Sequence, residues 1–346
     1  MKGVETGSPR APGRLGGRGA VVDSLLKYYI QWLLVAALVV LAALNANFRQ
    51  PRNLENILLQ SSFAGIGAAG MTLLIVAGAF DLSVAGILGV CGVVMATLVA
   101  GANTLLGILA ALVVGAGLGI VNGFVVTKLR IPAFIATLGM MNVYLGIGFI
   151  WTNGQVVSVA KPAQVTLGTG VVSAANPVLL TLGTGTLFGI LPVPFLVMAV
   201  VYGLCYLFLR RTHYGRFLRA VGSSELAARA VGIPVARVRI VAFVMVAVCT
   251  AIAAVLLTGE LSSANAIMAT GYELNVIAIV VVGGTSLQGG QGTLLGSFTG
   301  ALFFAVISNA LNIFGVGAYW QYVVSGVLLI SAIAVQAVRS FVFTVE

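Results

Sequence analysis

Charge is scarce in this 346-residue sequence: Asp, Glu, Lys and Arg make up 8% of it, while 60% is apolar. Soluble domains carry about 25% charged residues, and a chain this long needs them to cover its surface. A soluble enzyme and a disordered chain are both excluded. Histidine occurs once, as His213 in a basic stretch, so no Ser-His-Asp triad can form inside an apolar segment. The three cysteines, Cys91, Cys205 and Cys249, lie in apolar runs without a C-x-x-C pair, which excludes a disulfide framework and a zinc site. Acids number eight and form no carboxylate pair, so no catalytic residue and no metal ligand is assigned. The glycine-rich stretch 283–292 lacks the G-K-[ST] ending of a phosphate loop and reads as a tight cytoplasmic turn.

What the chain has instead is apolar length, with a mean hydropathy of +1.12. This is the profile of an all-α, polytopic membrane bundle. A crossing needs about 20 apolar residues, and the intervals between charges supply about ten such stretches. Intervals 28–48 and 56–80 hold one each, and 82–127 breaks at Gly101-Ala102-Asn103 into two. Interval 131–160 holds one, ending near Trp151. The part 162–186 is rich in Thr, Ser, Gly and Asn, so only about 190–209 reads as a span there, entered through Pro192 and Pro194. Interval 240–259 holds one, and 274–338 breaks at 283–292 and 314–318 into three. The stretch 274–287 is short, which fits a tilted span, a half-helix or a re-entrant segment. Glycines at helical spacing (Gly115, Gly119 and Gly123; Gly86, Gly89 and Gly92; Gly296 and Gly300) let membrane helices approach closely.

Residues 1–27 carry Gly, Pro and five basic residues and read as a disordered basic cytoplasmic arm. Residues 28–340 form the membrane domain. The net charge of +10 sets its orientation: with the N-terminus inside, fifteen of the eighteen basic residues are cytoplasmic, and only Arg49, Arg52 and Lys161 lie outside. The excess is a topology signal and does not point to nucleic acid.

Asp81 is the one acid between Glu55 and Glu225. It either caps the helix beginning at Leu82 or belongs to a polar pathway through the bilayer. The cytoplasmic loop 210–239 is denser in signals. Ser223 or Ser224 can cap a helix with Glu225 in its first turn, Glu225 and Arg229 form an i,i+4 pair, and Gly232 with Pro234 ends it. Two turns are too short to be stable alone, so this helix packs on anionic membrane lipid or into a groove on a soluble partner.

Several ordered motifs are similar to those of a known family. Residues 79–86 resemble G-G-I-D-L-S-V-G; Asn122-Gly123 leads into Lys128-Leu129-Arg130-Ile131-Pro132-Ala133-Phe134; and Tyr214-Gly215-Arg216 precedes Gly232-Ile233. Gly271-Tyr272-Glu273-Leu274 then runs into Gly283-Gly284-Thr285-Ser286-Leu287. From about Leu54 to Val335 the chain resembles the permease subunits of ribose/xylose/galactose-type and autoinducer ABC importers. Ala79 and Ala85 stand where that family often has Gly, and Asn275 where it often has Asp.

The resemblance implies a type II ABC importer-like bundle in the bacterial inner membrane, paired with a second permease copy as a homo- or heterodimer. A cytoplasmic ABC ATPase would use ATP and Mg, this chain would bind no cofactor, and an extracytoplasmic sugar-binding protein would deliver a monosaccharide. It makes Ser223, Glu225, Leu226, Ala227, Ala228, Arg229 and Gly232 the ATPase-coupling helix. A path for neutral, hydroxyl-rich sugars needs hydrogen-bonding groups. Candidates are Asp81, with the cap as its alternative, and Asn122, Asn142, Tyr144, Asn309, Asn312 and Gln321, each of which could equally form an interhelical pair. Glu260 and Glu273 are candidates for docking the binding protein, or they mark the water boundary. The rival reading, a secondary carrier of a small polar solute, needs coupling acids that the spans nearly lack.

Overall fold

A computed structural model describes residues 28–100, 103–159, 161–167, 170–174 and 176–343. The arm expected over 1–27 and the glycine-alanine pair of the 101–103 break lie outside the described residues. Helix α1 (Tyr29–Leu44) leads through a 3-10 turn (Ala46–Arg49) into α2 (Pro51–Val76), whose Pro51 stands in the first turn, where a missing N–H is tolerated. Then come α3 (Val84–Ala100) and α4 (Thr104–Lys128), the latter capped by Asn103, whose side chain accepts from Leu106 N. Helix α5 (Ala133–Thr152) starts behind Pro132 and stops on Asn153 at φ 49°.

Residues 157–192 hold no span. They form the short strands β1 (Val157–Ser158), β2 (Lys161–Leu167), β3 (Gly170–Ala174), helix α6 (Pro177–Thr184), β4 (Thr186–Leu187) and β5 (Leu191–Pro192). β2 pairs antiparallel with β3, and β4 with β5. Helix α7 (Val193–Arg211) then crosses to α8 (His213–Ser223) and α9 (Glu225–Ala230). Helix α10 (Val235–Leu261) returns to β6 (Ser263–Ala264), which pairs with β1. Helices α11 (Tyr272–Val282), α12 (Leu294–Ile313) and α13 (Ala318–Phe343) complete the chain.

Six of these helices (α2, α4, α5, α7, α10 and α12) are long and apolar enough to cross a membrane, and α1, α3, α11 and Tyr319–Ser331 of α13 are shorter apolar helices. These ten fall one for one on the ten stretches expected from the charge-free intervals. Burial sorts them: 78% of the apolar window of α2 is inside the protein, against 22% for α4 and α5. The bundle is therefore built around α2, with α10 and α12, and α4 and α5 turn apolar faces outward. The glycine spacing explains how closely α4 meets α10. A Cβ at Gly119 would stand 2.7 Å from the Phe243 carbonyl oxygen, and one at Gly123 would stand 2.9 Å from the Ile240 Cα.

Helix α11 resolves the short stretch at 274–287. Its 11 residues rise about 16 Å, half of the roughly 30 Å of a bilayer core. Non-helical backbone over 262–271, which includes β6, precedes it, and Ala264, Ala266 and Ala269 within it are buried while Ile267 is exposed. It packs against the middle of α3, where a Cβ on Gly89 would collide with the Ala266 carbonyl. This is a half-helix preceded by non-helical backbone that α3 partly covers, an arrangement tolerated at membrane depth only where protein encloses it.

Candidate functional site

A cavity of about 460 Å³ opens between α2, α11, α12 and α13, beside the non-helical stretch 262–271. Gln60 and Ser61 of α2, Asn275 of α11, Ser308 and Asn312 of α12, and Gln321 of α13 line it, with Thr270, Tyr322 and Ser325. Phe304, Ile279 and Ala301 supply apolar wall. No lining residue is charged. Gln321 Nε2 donates to Asn312 Oδ1 at 2.8 Å, joining α12 to α13 across this space. Tyr272 pins the start of α11 to α2: its hydroxyl donates to the Phe63 carbonyl at 3.1 Å and its ring lies against Gly67, where a Cβ would stand 2.9 Å from Cζ. Neutral donors and acceptors on apolar walls suit a small hydroxylated solute.

The seven candidate pathway residues separate. Asn312 and Gln321 line the cavity. Asp81, Asn122 and Tyr144 meet elsewhere, in a buried network at the start of α3. Asp81 Oδ1 accepts from Ser83 N at 2.7 Å and Ser83 Oγ at 2.6 Å, and Oδ2 accepts from Asn122 Nδ2 at 2.9 Å. Tyr144 donates to Asn122 Oδ1 at 2.8 Å. Both carboxylate oxygens are thus engaged in holding the turn into α3, which begins at Val84 rather than Leu82. Asn309 Nδ2 donates to Asn53 Oδ1 at 2.8 Å, a buried α2–α12 pair. Asn142 is exposed on α5, with its amide on the Leu138 carbonyl at 3.2 Å. Asn275, noted above as standing where the family often has Asp, lines the cavity too, and so do Gln60, Ser61, Ser308 and Ser325, which the sequence did not single out. The signal was there as polar pairs four apart on apolar helices, Ser308 with Asn312 and Gln321 with Ser325.

At one end of the bundle stand α8 and α9. Thr212 caps α8, accepting from Gly215 N at 3.1 Å. Of the two serines able to cap the next helix, Ser224 does so, accepting from Ala227 N at 3.2 Å, and Ser223 closes α8 instead. Glu225 anchors α9: Oε1 accepts from Arg229 Nη2 at 2.6 Å and Oε2 pairs with Arg239 Nη2 at 2.7 Å. The Arg229 hydrogen bond holds its carboxyl below the usual carboxylate range, with Arg239 adding and partial burial opposing. Ala228 is buried, Ala227 exposed and Leu226 83% exposed, so α9 is seated by one side and presents the other. Gly232, at φ 81°, turns the chain back to α10.

The turn 283–292 docks backbone to backbone under this end. Gly290 N donates to the Val76 carbonyl at 2.9 Å. A Cβ on Gly222 would overlap that same carbonyl oxygen, and one on Gly289 would stand 2.8 Å from the Gly222 oxygen. A backbone path therefore links α8, through the glycine turn, to α11 and α12, which line the cavity. At the opposite end, Glu260 is half-buried beside Gly183 of α6, and Glu273 sits in the first turn of α11 with Oε2 buried and without a hydrogen bond.

A family described as "Branched-chain amino acid transport system / permease component" matches residues 53–333. The chain is 38% identical over 311 residues to the ribose import permease protein RbsC of Escherichia coli (strain K12), covering 87% of this chain and 92% of that one. It is 35% identical to the ribose import permease protein of Bacillus subtilis (strain 168), covering 87% and 90%. Identity to the L-arabinose transport system permease protein AraH of E. coli K12 is 32%, over 96% of each chain. No solved structure matches.

Proposed function

The chain belongs to this permease-component family, and from that membership we propose that its cargo is a monosaccharide of the pentose or hexose kind. It is a multi-pass membrane protein and the permease of an ABC importer, a class that works with an ATPase and a binding protein. The relatives above are named for ribose and arabinose, whereas the family description names amino acids. The observation that favours sugar is the uncharged cavity: an amino acid presents a carboxylate and an ammonium, and no lining side chain carries a charge to meet either.

In this reading α8 and α9 face the cytoplasm of a bacterial inner membrane, with the N-terminus on the same side. The ATPase grips α9 around Leu226, Ala227 and Arg229, with Glu225, Ala228 and Gly232 holding the helix in shape and Ser223 at its approach. ATP and Mg act in that partner, and this chain contributes no nucleotide site. Closure of the ATPase pair pulls α9, and the glycine contact passes the displacement to α11 and α12. A near-complete swing between inward and outward states needs about 5.5 kcal/mol of differential binding. The path is completed by a second permease copy, and Glu260, with the recessed Glu273, contributes to the rim where the sugar-binding protein docks.

The test is reconstitution with the cognate ATPase and binding protein in proteoliposomes. Ribose or arabinose should raise ATP hydrolysis and accumulate inside, and Asn312→Leu should weaken uptake about tenfold through loss of a hydrogen bond to cargo. Stimulation by a branched-chain amino acid and by no sugar would overturn the cargo assignment.

A further inference from the structure

A second cavity, of about 630 Å³, lies at the α8–α9 end and shares no lining residue with the first. Three arginines line it: Arg210 at the end of α7, and Arg216 and Arg219 one turn apart on α8. Both ion pairs among the described residues engage Glu225, so none of these three guanidinium groups meets a carboxylate there. Arg210 lies 5.6 Å over the Tyr206 ring and donates to its hydroxyl, and Arg216 Nη2 is 2.7 Å from His213 Nδ1. The first turns of α1 and α12 form the opposite wall, and helix N-termini add partial positive charge. Gln31 Oε1, on that first turn of α1, is buried without a hydrogen-bond partner.

The surroundings are apolar. Ile30, Leu209 and Leu294 line the cavity beside the arginines. Helices α1 and α7 both pack on α12 but scarcely on one another. Between them α12 shows Leu295, which is exposed, and Leu302, half-buried two turns on, while Phe298 packs edge-on against Tyr202 of α7. Trp32 and Leu33 of α1, and Leu204 and Leu207 of α7, are exposed within two turns of the cavity. The combination is a cationic cup at the membrane boundary opening onto an apolar track.

We propose that this cup binds the phosphodiester headgroup of an anionic phospholipid, with its acyl chains lying along α12 between α1 and α7. Guanidinium groups match phosphate oxygens with paired donors, and basic pockets between membrane helices suit such headgroups. The loop then divides: α8 holds lipid, and α9 is left for a protein partner. The site does not depend on which solute the permease carries.

Native mass spectrometry of the full-length protein in neutral detergent tests this, titrating phosphatidylglycerol against phosphatidylcholine. The wild type should retain one phosphatidylglycerol through delipidation, and excess inorganic phosphate should not displace it. The double variant Arg216→Gln/Arg219→Gln should bind it about tenfold more weakly, while Arg237→Gln, outside the cup, should bind as the wild type does. If the double variant loses its thermal unfolding transition, Arg219→Gln alone carries the same expectation. Equal retention by the variants, or equal affinity for phosphatidylcholine, would overturn the proposal. Displacement by inorganic phosphate would make this a free-phosphate site, and expulsion of the lipid by the cognate ATPase would make it a protein-docking surface. Either result also defeats the proposal.

Discussion

Asp81 illustrates how a single residue changes meaning once its neighbours are known. An acid within a run of apolar helices invites a transport role, yet both of its oxygens are engaged by Ser83 and Asn122. Asp81→Ala leaves the Ser83 N–H and hydroxyl buried without the acceptor they share, at about 1–3 kcal/mol each, while the Asn122 amide keeps Ser83 Oγ at 2.7 Å. Thermal unfolding in detergent should fall accordingly, while sugar uptake per folded molecule stays at the wild-type level. Loss of uptake at unchanged stability would return Asp81 to the pathway. Sequence alone could not choose between these roles, because a cap and a relay place the same residue type at the same break. Asn309 and Asn312 show the same limit: three positions apart on α12, one bonds Asn53 and the other faces the cavity.

Among elements, α9 is legible in the sequence alone, since a serine cap, an i,i+4 ion pair and a terminal glycine are local signals. Arg239 was not readable as the second partner of Glu225, being brought there by the start of α10. Nor was α8, whose apolar residues Leu218 and Val221 gain their meaning only from burial. A carboxyl held below its ordinary value of about 4.3 stabilises the fold above that value and loses its effect only as pH falls through the lowered one. This contact should therefore be intact between about pH 5 and 8, and lend no pH dependence there to sugar-stimulated ATP hydrolysis. Glu225→Gln should reduce it throughout that range, and less sharply at high salt, since Arg229 is largely exposed. The glycine contact is the stiffer joint. Gly222→Ala forces a methyl into the Val76 carbonyl, a strain of about 1–3 kcal/mol. The expected readout is basal ATP hydrolysis in the assembled complex that no longer responds to sugar.

At the scale of the whole molecule, the ten apolar stretches were legible because water and lipid impose a length on every crossing, whatever the tertiary packing. The dimensions of the cavity were not, since they arise between four helices distant in sequence. Orientation rests on the basic residues and can be checked directly. All three native cysteines are buried, so a cysteine introduced at an exposed position reports alone. In right-side-out vesicles, Phe188→Cys, at a position 92% exposed in the β4–β5 turn, should react with an impermeant maleimide. Leu226→Cys should react only after permeabilisation, and the reverse pattern would invert the topology. The half-helix has a consequence for biogenesis. Eleven residues are too few to be recognised as a span by the insertion machinery, and the irregular backbone before them is costly in bare lipid. Helix α11 therefore cannot leave the translocon alone. It is expected to enter the bilayer as a passenger between α10 and α12, so that the cavity it lines is complete only after the helices on either side of it have been released.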